Sequence, residues 1–302
     1  MKPLVYILCP SYSGSTLLTL LLATHPDIAT IGELKATPLG NVAQYSCSCG
    51  VPILACPFWM DLGERMKSRG LVFCPTAFDT HFRAQSWLAD TILRASLRRP
   101  LFETLRHAAL RTLPAVHHRY RELLARNLAM IDCICEMTGG RIFLDGSKDP
   151  IRLQYLRRSG FSELRVVYLL RDGRGTTFSY MRRHNVSMEQ AARQWVRDQQ
   201  ECDRAMAMHS ESACFPLRYE DLCREPASTM EALYRFLGLD PQLGSLAYRA
   251  PDHHILGNSM RLRSVQTIHL DDAWCEGLSQ TEHSAFEDIA GTLNHSNGYG
   301  NS

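Results

Sequence analysis

Ser13, Gly14, Ser15 and Thr16 stand between an apolar run at residues 3–9 and a leucine-rich stretch at residues 16–23. Small residues where a strand passes into a helix leave several backbone N–H groups unpaired and aimed at one spot. The helix dipole adds partial positive charge there. This arrangement seats an anion. Gly14 lets the backbone approach closely, and the three hydroxyls add donors without bulk; the same residues also read as a plain helix cap. A triphosphate loop would follow GxxxxGK[ST], with its lysine on the outer phosphates and its hydroxyl on Mg²⁺. Here Ser15 follows Gly14 and the loop holds no other glycine, so a single phosphate held without metal fits better.

The flanking elements must present that loop. Residues 3–9 are uninterrupted and apolar, as in a strand buried on both faces of a parallel sheet, until Pro10 breaks the run. His25-Pro26 ends the helix that follows. Residues 141–144 (RIFL), 164–170 (LRVVYLL) and, more briefly, 214–218 (CFPLR) read as further strands. Each runs into a polar cluster: Asp145-Gly146, Arg171-Asp172-Gly173 and Tyr219-Glu220-Asp221. Helical patterns between the strands argue for parallel pairing through crossovers. The polar clusters then fall at the C-terminal strand ends, where open α/β sheets bind ligands.

Residues 79–137 interrupt the alternation with helical sequence alone and read as an insertion that stops at Gly139-Gly140. Arginines 83, 94, 98, 99, 106, 111, 119, 121 and 126 there face only Asp90, Glu103 and Glu122. A solvated helix face is the simpler reading of that excess, and an anion-attracting wall beside the site is the alternative. Residues 291–302 are polar and rich in Gly, Asn and Ser, and are expected to form a mobile tail.

At 302 residues and 45% apolar content, the chain is expected to fold as one domain over residues 1–302. A formal charge of +2, from 33 basic and 31 acidic residues, gives no global pull toward nucleic acid or membrane, so no nucleic-acid partner is expected. No apolar run approaches the roughly 18 residues that would span a bilayer. Residues 1–8 read as a strand rather than a signal sequence, and a cytoplasmic location is expected.

Of eleven cysteines, Cys47, Cys49 and Cys56 cluster in sequence, with Cys74 a further candidate. C-x-C with a lone third cysteine is a poor match to structural zinc, so packing of a loop is the preferred reading; a metal and a reversible disulfide are the alternatives. His117-His118 and His253-His254 have no carboxylate or cysteine at ligand spacing. No metal site is expected.

PSYSGSTLL with HPDIATIGEL, then SKDP, VVYLLRDGRGTTFSY and RYEDL, resembles the sulfotransferase family that uses 3′-phosphoadenosine 5′-phosphosulfate (PAPS). The resemblance touches residues 4–39, 141–183, 214–239 and 251–274. It implies an α/β fold, a parallel sheet flanked by helices like that of P-loop nucleotide kinases, into which the helical residues 79–137 read above are inserted. It also implies metal-free transfer of a sulfuryl group to an acceptor hydroxyl on a small molecule, glycan or lipid.

By the same resemblance Ser13, Gly14, Ser15 and Thr16 bind the 5′-phosphosulfate, with Leu17 near the adenine. Arg171 and Ser179 grip the 3′-phosphate, Tyr219 lies near the adenine, and Arg261 in the late loop GNSMRLR reaches the 3′-phosphate. Lys148 is the cation near the leaving oxygen. Cytosolic small-molecule members place a histidine two residues beyond that lysine, but Pro150 stands there, so Glu33, as in protein-tyrosine and some carbohydrate members, is the expected base. Tyr12 occupies a position where the family usually has Arg or Lys, and offers a phenol donor in place of a cation.

Each residue also has a plainer reading. Arg171 with Asp172 is a surface ion pair, Tyr219 core packing, Arg261 a surface arginine, Lys148 a turn lysine, and Glu33 a helix cap or salt bridge. Two rival functions remain open at this level: a metal-dependent nucleotide kinase, and a non-catalytic protein that binds adenosine bisphosphate.

Overall fold

The computed structural model describes residues 2–35, 45–75, 78–84, 86–161, 163–248, 254–256, 262 and 267–300. Five parallel strands, β1 (Leu4–Leu8), β2 (Ile28–Thr30), β3 (Ile142–Lys148), β4 (Leu164–Leu170) and β5 (Cys214–Arg218), form one sheet in the order β2-β3-β1-β4-β5. From central β1 the chain crosses to one edge at β2, returns to β3, and passes to β4 and β5 on the other side. The loops after β1 and β4 therefore leave in opposite directions and open a crevice at the C-terminal strand ends.

All five residues of β1 are buried, because both faces of the sheet are covered. Val5 and Ile7 pack against α1 (Ser15–Leu22), α9 (Tyr219–Arg224) and α10 (Pro226–Phe236). Leu4, Tyr6 and Leu8 face the other way, onto α2 (Pro57–Ser68), α3 (Trp87–Leu93), α4 (Pro100–Thr112), α5 (Pro114–Thr138) and α6 (Pro150–Arg157). Leu17, Leu18, Leu20, Leu21 and Leu22 of α1 are all buried. Each contributes about 1.5–3 kcal/mol, which fixes the helix and hence the loop at its N-terminus. Among the described residues no helix is long and apolar enough to cross a membrane.

The expected insertion is helical, and α5 ends where Gly139 adopts φ +76°. Its arginines are not simply a solvated face, however. Arg106 is 1% exposed and bonds Glu103 and the carbonyl of Ala95. Arg119 pairs with Asp79 and Glu122, and Arg98 with Glu201. These guanidiniums fasten the insertion internally and to α8 (Met188–Met206).

The sheet also differs from expectation at β3, which runs on from Leu144 to Lys148 although the polar pair Asp145-Gly146 is expected to follow the strand. Buried Asp145 is satisfied there by Arg152 Nε at 2.9 Å and by the backbone N–H of Ser147 and Leu34. A strand can carry a buried carboxylate only when it is paired in this way.

The chain end is a second correction. α7 (Gly173–His184), α8, α11 (Trp274–Gly277) and α12 (Gln280–Phe286) pack with a π-turn at Glu287–Gly291 and α13 (Thr292–Ser296), so residues 291–300 are part of the folded body and not a mobile tail. Fully buried Asn294 accepts the Gly173 N–H at 2.8 Å, and Tyr299 donates to Glu220 at 2.7 Å. Polar composition concealed an amide that caps the start of α7 from a distance.

Candidate active site

The turn from β1 into α1 uses two left-handed residues, Tyr12 at φ +68° and Gly14 at φ +91°. Only glycine suits the second. A Cβ on Gly14 would lie 2.4 Å from Cδ2 of Tyr219, the residue that opens α9 directly after β5. The ring of Tyr219 therefore packs on the loop's backbone, and its hydroxyl accepts the Asp271 N–H at 3.2 Å.

Above that ring lies the guanidinium of Arg171, 4.5 Å from the ring centroid and 7% exposed. It donates to the Tyr12 carbonyl at 2.9 Å, to the Asp271 carbonyl at 2.7 Å and to Asp271 Oδ2 at 3.0 Å. A Cβ at residue 175 would lie 3.0 Å from Cδ1 of Trp274 and 3.2 Å from the Arg171 Nε and Nη2, so glycine there leaves the guanidinium its room. Ser179, two turns into α7, donates to the Gly175 carbonyl at 3.0 Å.

β3 supplies the other wall. Lys148, at φ +63°, ends the strand opposite Leu8, and Asp149 then caps α6 by accepting the N–H groups of Ile151 and Arg152. Glu33 stands on the segment after β2, which β3 clamps. Gly146 N–H donates to the Gly32 carbonyl at 2.7 Å, and Lys35 N–H to Ser147 Oγ at 2.8 Å. Glu33 and Lys148 meet in a close ion pair with both side chains about one-fifth exposed, at 20% and 19%. Burial opposes the charge of Lys148, but the carboxylates of Glu33 and, further off, Asp145 outweigh it and hold its pKa above the ordinary lysine value.

These parts line one cavity of about 1060 Å³. Tyr12, Gly14, Ser15, Thr16 and Leu17 lie on its wall, as do Glu33, Lys148, Arg171, Ser179 and Tyr219. Ser13 does not reach the wall; it is buried beneath the loop, where its hydroxyl bonds the Cys9 thiol. Arg261 lies outside the described residues. Burial pushes Cys9 up to about 12, so the floor beneath the loop is a neutral thiol.

Sequence reasoning missed several wall residues. His184, at the end of α7, lies 2.9 Å from the Tyr12 hydroxyl, so the phenol at this unusual position has a titratable partner. α8 brings Gln194, Asp198 and Glu201 to the cavity. Burial pushes the Asp198 carboxyl up to about 6, against a hydrogen bond from Gln194 at 2.8 Å that lowers it. Arg94, one of the nine arginines of the insertion named above, does line the cavity, where it reaches from the end of α3 to Asp149 at 2.8 Å, beside Lys35. No local motif announces these residues; the helical period of α8 is the one signal that places 194, 198 and 201 on one face.

A site with backbone donors at a helix N-terminus, a buried guanidinium on an aromatic face, and a lysine–glutamate pair across the same cavity can hold a phosphorylated aromatic ligand. It also sets a cation and a carboxylate together beside that ligand.

Comparison with known proteins bears on the fold and the family. The sulfotransferase domain of the Synechococcus PCC 7002 olefin synthase has a similar fold, with TM-score 0.50 at 18% identity over 97% of this chain and 94% of that one. The sulfotransferase domain from the curacin biosynthetic pathway aligns at TM-score 0.48 and 18% identity, over 97% and 98% of the two chains. The sulfotransferase STF1 of Mycobacterium tuberculosis H37Rv aligns at 0.46 and 15%, over 96% and 77%. No curated protein matches the sequence significantly. The profile of the Sulfotransferase family matches residues 76–242, more than half of the chain and inclusive of Lys148, Arg171, Ser179 and Tyr219, and the protein belongs to that family.

Proposed function

We propose that the cavity binds PAPS and that the protein transfers its sulfuryl group to an acceptor hydroxyl. The observation that carries this reading is the convergence of the α1 N-terminus, Arg171 and the Glu33–Lys148 pair on one cavity. In this reading Ser15, Thr16 and the backbone around Gly14 and Ser13 hold the 5′-phosphosulfate. Arg171 and Ser179 hold the 3′-phosphate, and Leu17 and Tyr219 lie beside the adenosine; Arg261 is assigned to the 3′-phosphate on sequence grounds alone.

Sulfuryl transfer spreads charge over equatorial oxygens while nucleophile and leaving oxygen lie in line, so the protein chiefly orients reactants and stabilises charge. The acceptor oxygen bonds to sulfur as the bond from sulfur to the phosphate oxygen breaks. The hydroxyl proton passes to Glu33, and Lys148 meets the charge left on adenosine 3′,5′-bisphosphate. The ion pair gives both groups a reason to be in register: ligand arrival parts them, each to its own end of the transferring group. No divalent ion is assigned a part in this step. The acceptor is a small-molecule, glycan or lipid hydroxyl.

The reading is tested by incubating the full chain with PAPS and a panel of hydroxyl acceptors and following release of adenosine 3′,5′-bisphosphate. Release that depends on an acceptor and disappears in Glu33→Gln supports it. Tight PAPS binding with no acceptor-dependent release would favour a non-catalytic nucleotide-binding protein.

A further inference from the structure

Away from the cavity, four metal-binding side chains converge from two distant parts of the chain. Cys47, Cys49, Cys56 and His254 each offer a ligand atom, and all four atoms lie within 4.8 Å of one another. His254 Nδ1 lies 3.4 Å from Cys47 Sγ and 3.4 Å from Cys56 Sγ; Cys49 Sγ lies 3.6 Å from Cys56 Sγ. We propose that this cluster is a structural zinc site with three thiolates and one imidazole.

The distances carry the argument. Zinc–sulfur bonds near 2.3 Å and zinc–nitrogen bonds near 2.0 Å set tetrahedral edges of about 3.8 Å between sulfurs and about 3.6 Å between sulfur and nitrogen. Both kinds of edge match what is found. Three cysteines packed merely as hydrophobes have no reason to aim their sulfurs and an imidazole nitrogen at one centre. All three are free thiols, and the ligand set is closed, as in structural rather than catalytic zinc sites.

The surroundings are built for thiolate ligands. Cys47 and Cys49 sit on a tight turn, closed by the Gly50 N–H on the Cys47 carbonyl at 2.9 Å and the Cys47 N–H on the Val51 carbonyl at 2.8 Å. Gly50 supplies φ +85° there, with no neighbour that would exclude a side chain, so backbone shape is the reason for a glycine. Cys56 is the N-cap residue of α2, so its sulfur lies at the positive end of that helix. The Trp59 indole donates to Cys47 Sγ at 3.4 Å. Phe58 stacks on the His254 ring at 4.2 Å and 7°, which fixes the imidazole plane. Hydrogen bonds of this kind orient the ligands and moderate their charge. Metal binding releases the three thiol protons to solvent and uses neutral imidazole.

The site's consequence lies in what it ties together. Cys47 and His254 are 207 residues apart in sequence. Ile255 N–H donates to Ser48 Oγ at 2.8 Å, and Leu256 N–H to the Ile31 carbonyl at 2.8 Å. A Cβ on Gly32 would lie 2.5 Å from the Leu256 carbonyl oxygen. The metal therefore braces the strand of backbone that presses on Gly32, the residue before Glu33.

The test uses the full-length chain, purified under reducing conditions. Elemental analysis should find close to one zinc per chain. After chelation, cobalt(II) should give thiolate charge-transfer absorption and the intense visible bands of a tetrahedral site, both abolished by added zinc. Cys49→Ser and His254→Gln should each weaken zinc binding at least about tenfold, while exposed Cys275→Ser retains it. Because the wild-type spectrum is informative by itself, a variant that fails to fold does not blunt the test. Folded, reduced wild-type protein with far less than one zinc, or a cobalt spectrum typical of octahedral oxygen ligation, overturns the proposal.

Discussion

Arg171→Ala probes the proposed nucleotide site most sharply, provided the loss of a phosphate contact is separated from damage to the scaffold. The guanidinium holds the carbonyls of Tyr12 and Asp271, so its removal strands two acceptors and costs stability as well as binding. The separation comes from a cycle in which adenosine 3′,5′-bisphosphate and adenosine 5′-monophosphate are each titrated into wild type and variant. Scaffold damage affects both ligands, whereas the 3′-phosphate contact appears only in the difference. A hydrogen bond to a charged group is worth about 1.5–3 kcal/mol. Here Asp271 Oδ2 already accepts from Nη2 at 3.0 Å, on a carboxylate 47% exposed, so phosphate binding exchanges one anion for another. The coupling should therefore fall near the lower end, about 1.5 kcal/mol, or roughly tenfold in relative affinity. Calorimetry resolves that. A coupling below about 0.5 kcal/mol, the usual additivity error, would remove Arg171 from the 3′-phosphate.

The other perturbations act on distinct parts of the site. Glu33→Gln should lower turnover by about 10²–10⁴ while nucleotide affinity stays within a few-fold, as steady-state kinetics beside calorimetry will report; full activity would leave the base unassigned. Gly14→Ala should destabilise the fold by roughly 2–4 kcal/mol in chemical denaturation, combining left-handed strain with the clash on Tyr219. Asp198 titrates near 6 when folded against an ordinary 3.8, so the folded state binds the extra proton and stability falls as pH rises between those values. Asp198→Asn removes that slope. Relative to wild type it should gain on the order of 3 kcal/mol between pH 3.5 and pH 8 in thermal or urea unfolding, and a constant difference would contradict the buried, raised carboxyl.

Much of this architecture was legible because it rests on local pattern. The apolar run of β1, the small-residue loop and the leucine-rich α1 follow one another within a span in which each element dictates the next, and residues 164–170 and 214–218 appear as strands where expected. What stayed hidden depends on partners far away in sequence. Asp145 reads as the polar residue that follows the strand until Arg152 and Leu34 are seen to satisfy its carboxylate within β3. β2 is three residues long, too short for any periodicity to register. Asn294 reads as part of a loose tail because its role is to cap α7 across the fold. The cysteine cluster looked incomplete because its fourth member, His254, lies 198 residues beyond Cys56.

The central claim is that one cavity cradles a bisphosphorylated adenosine without a divalent ion. Parallel calorimetric titrations of the intact chain with PAPS and with ATP, each in EDTA and in excess magnesium, test it directly. The account predicts saturable PAPS binding that is unchanged by EDTA and tighter than that of ATP under both conditions. Magnesium-dependent binding of ATP with no detectable binding of PAPS would contradict it.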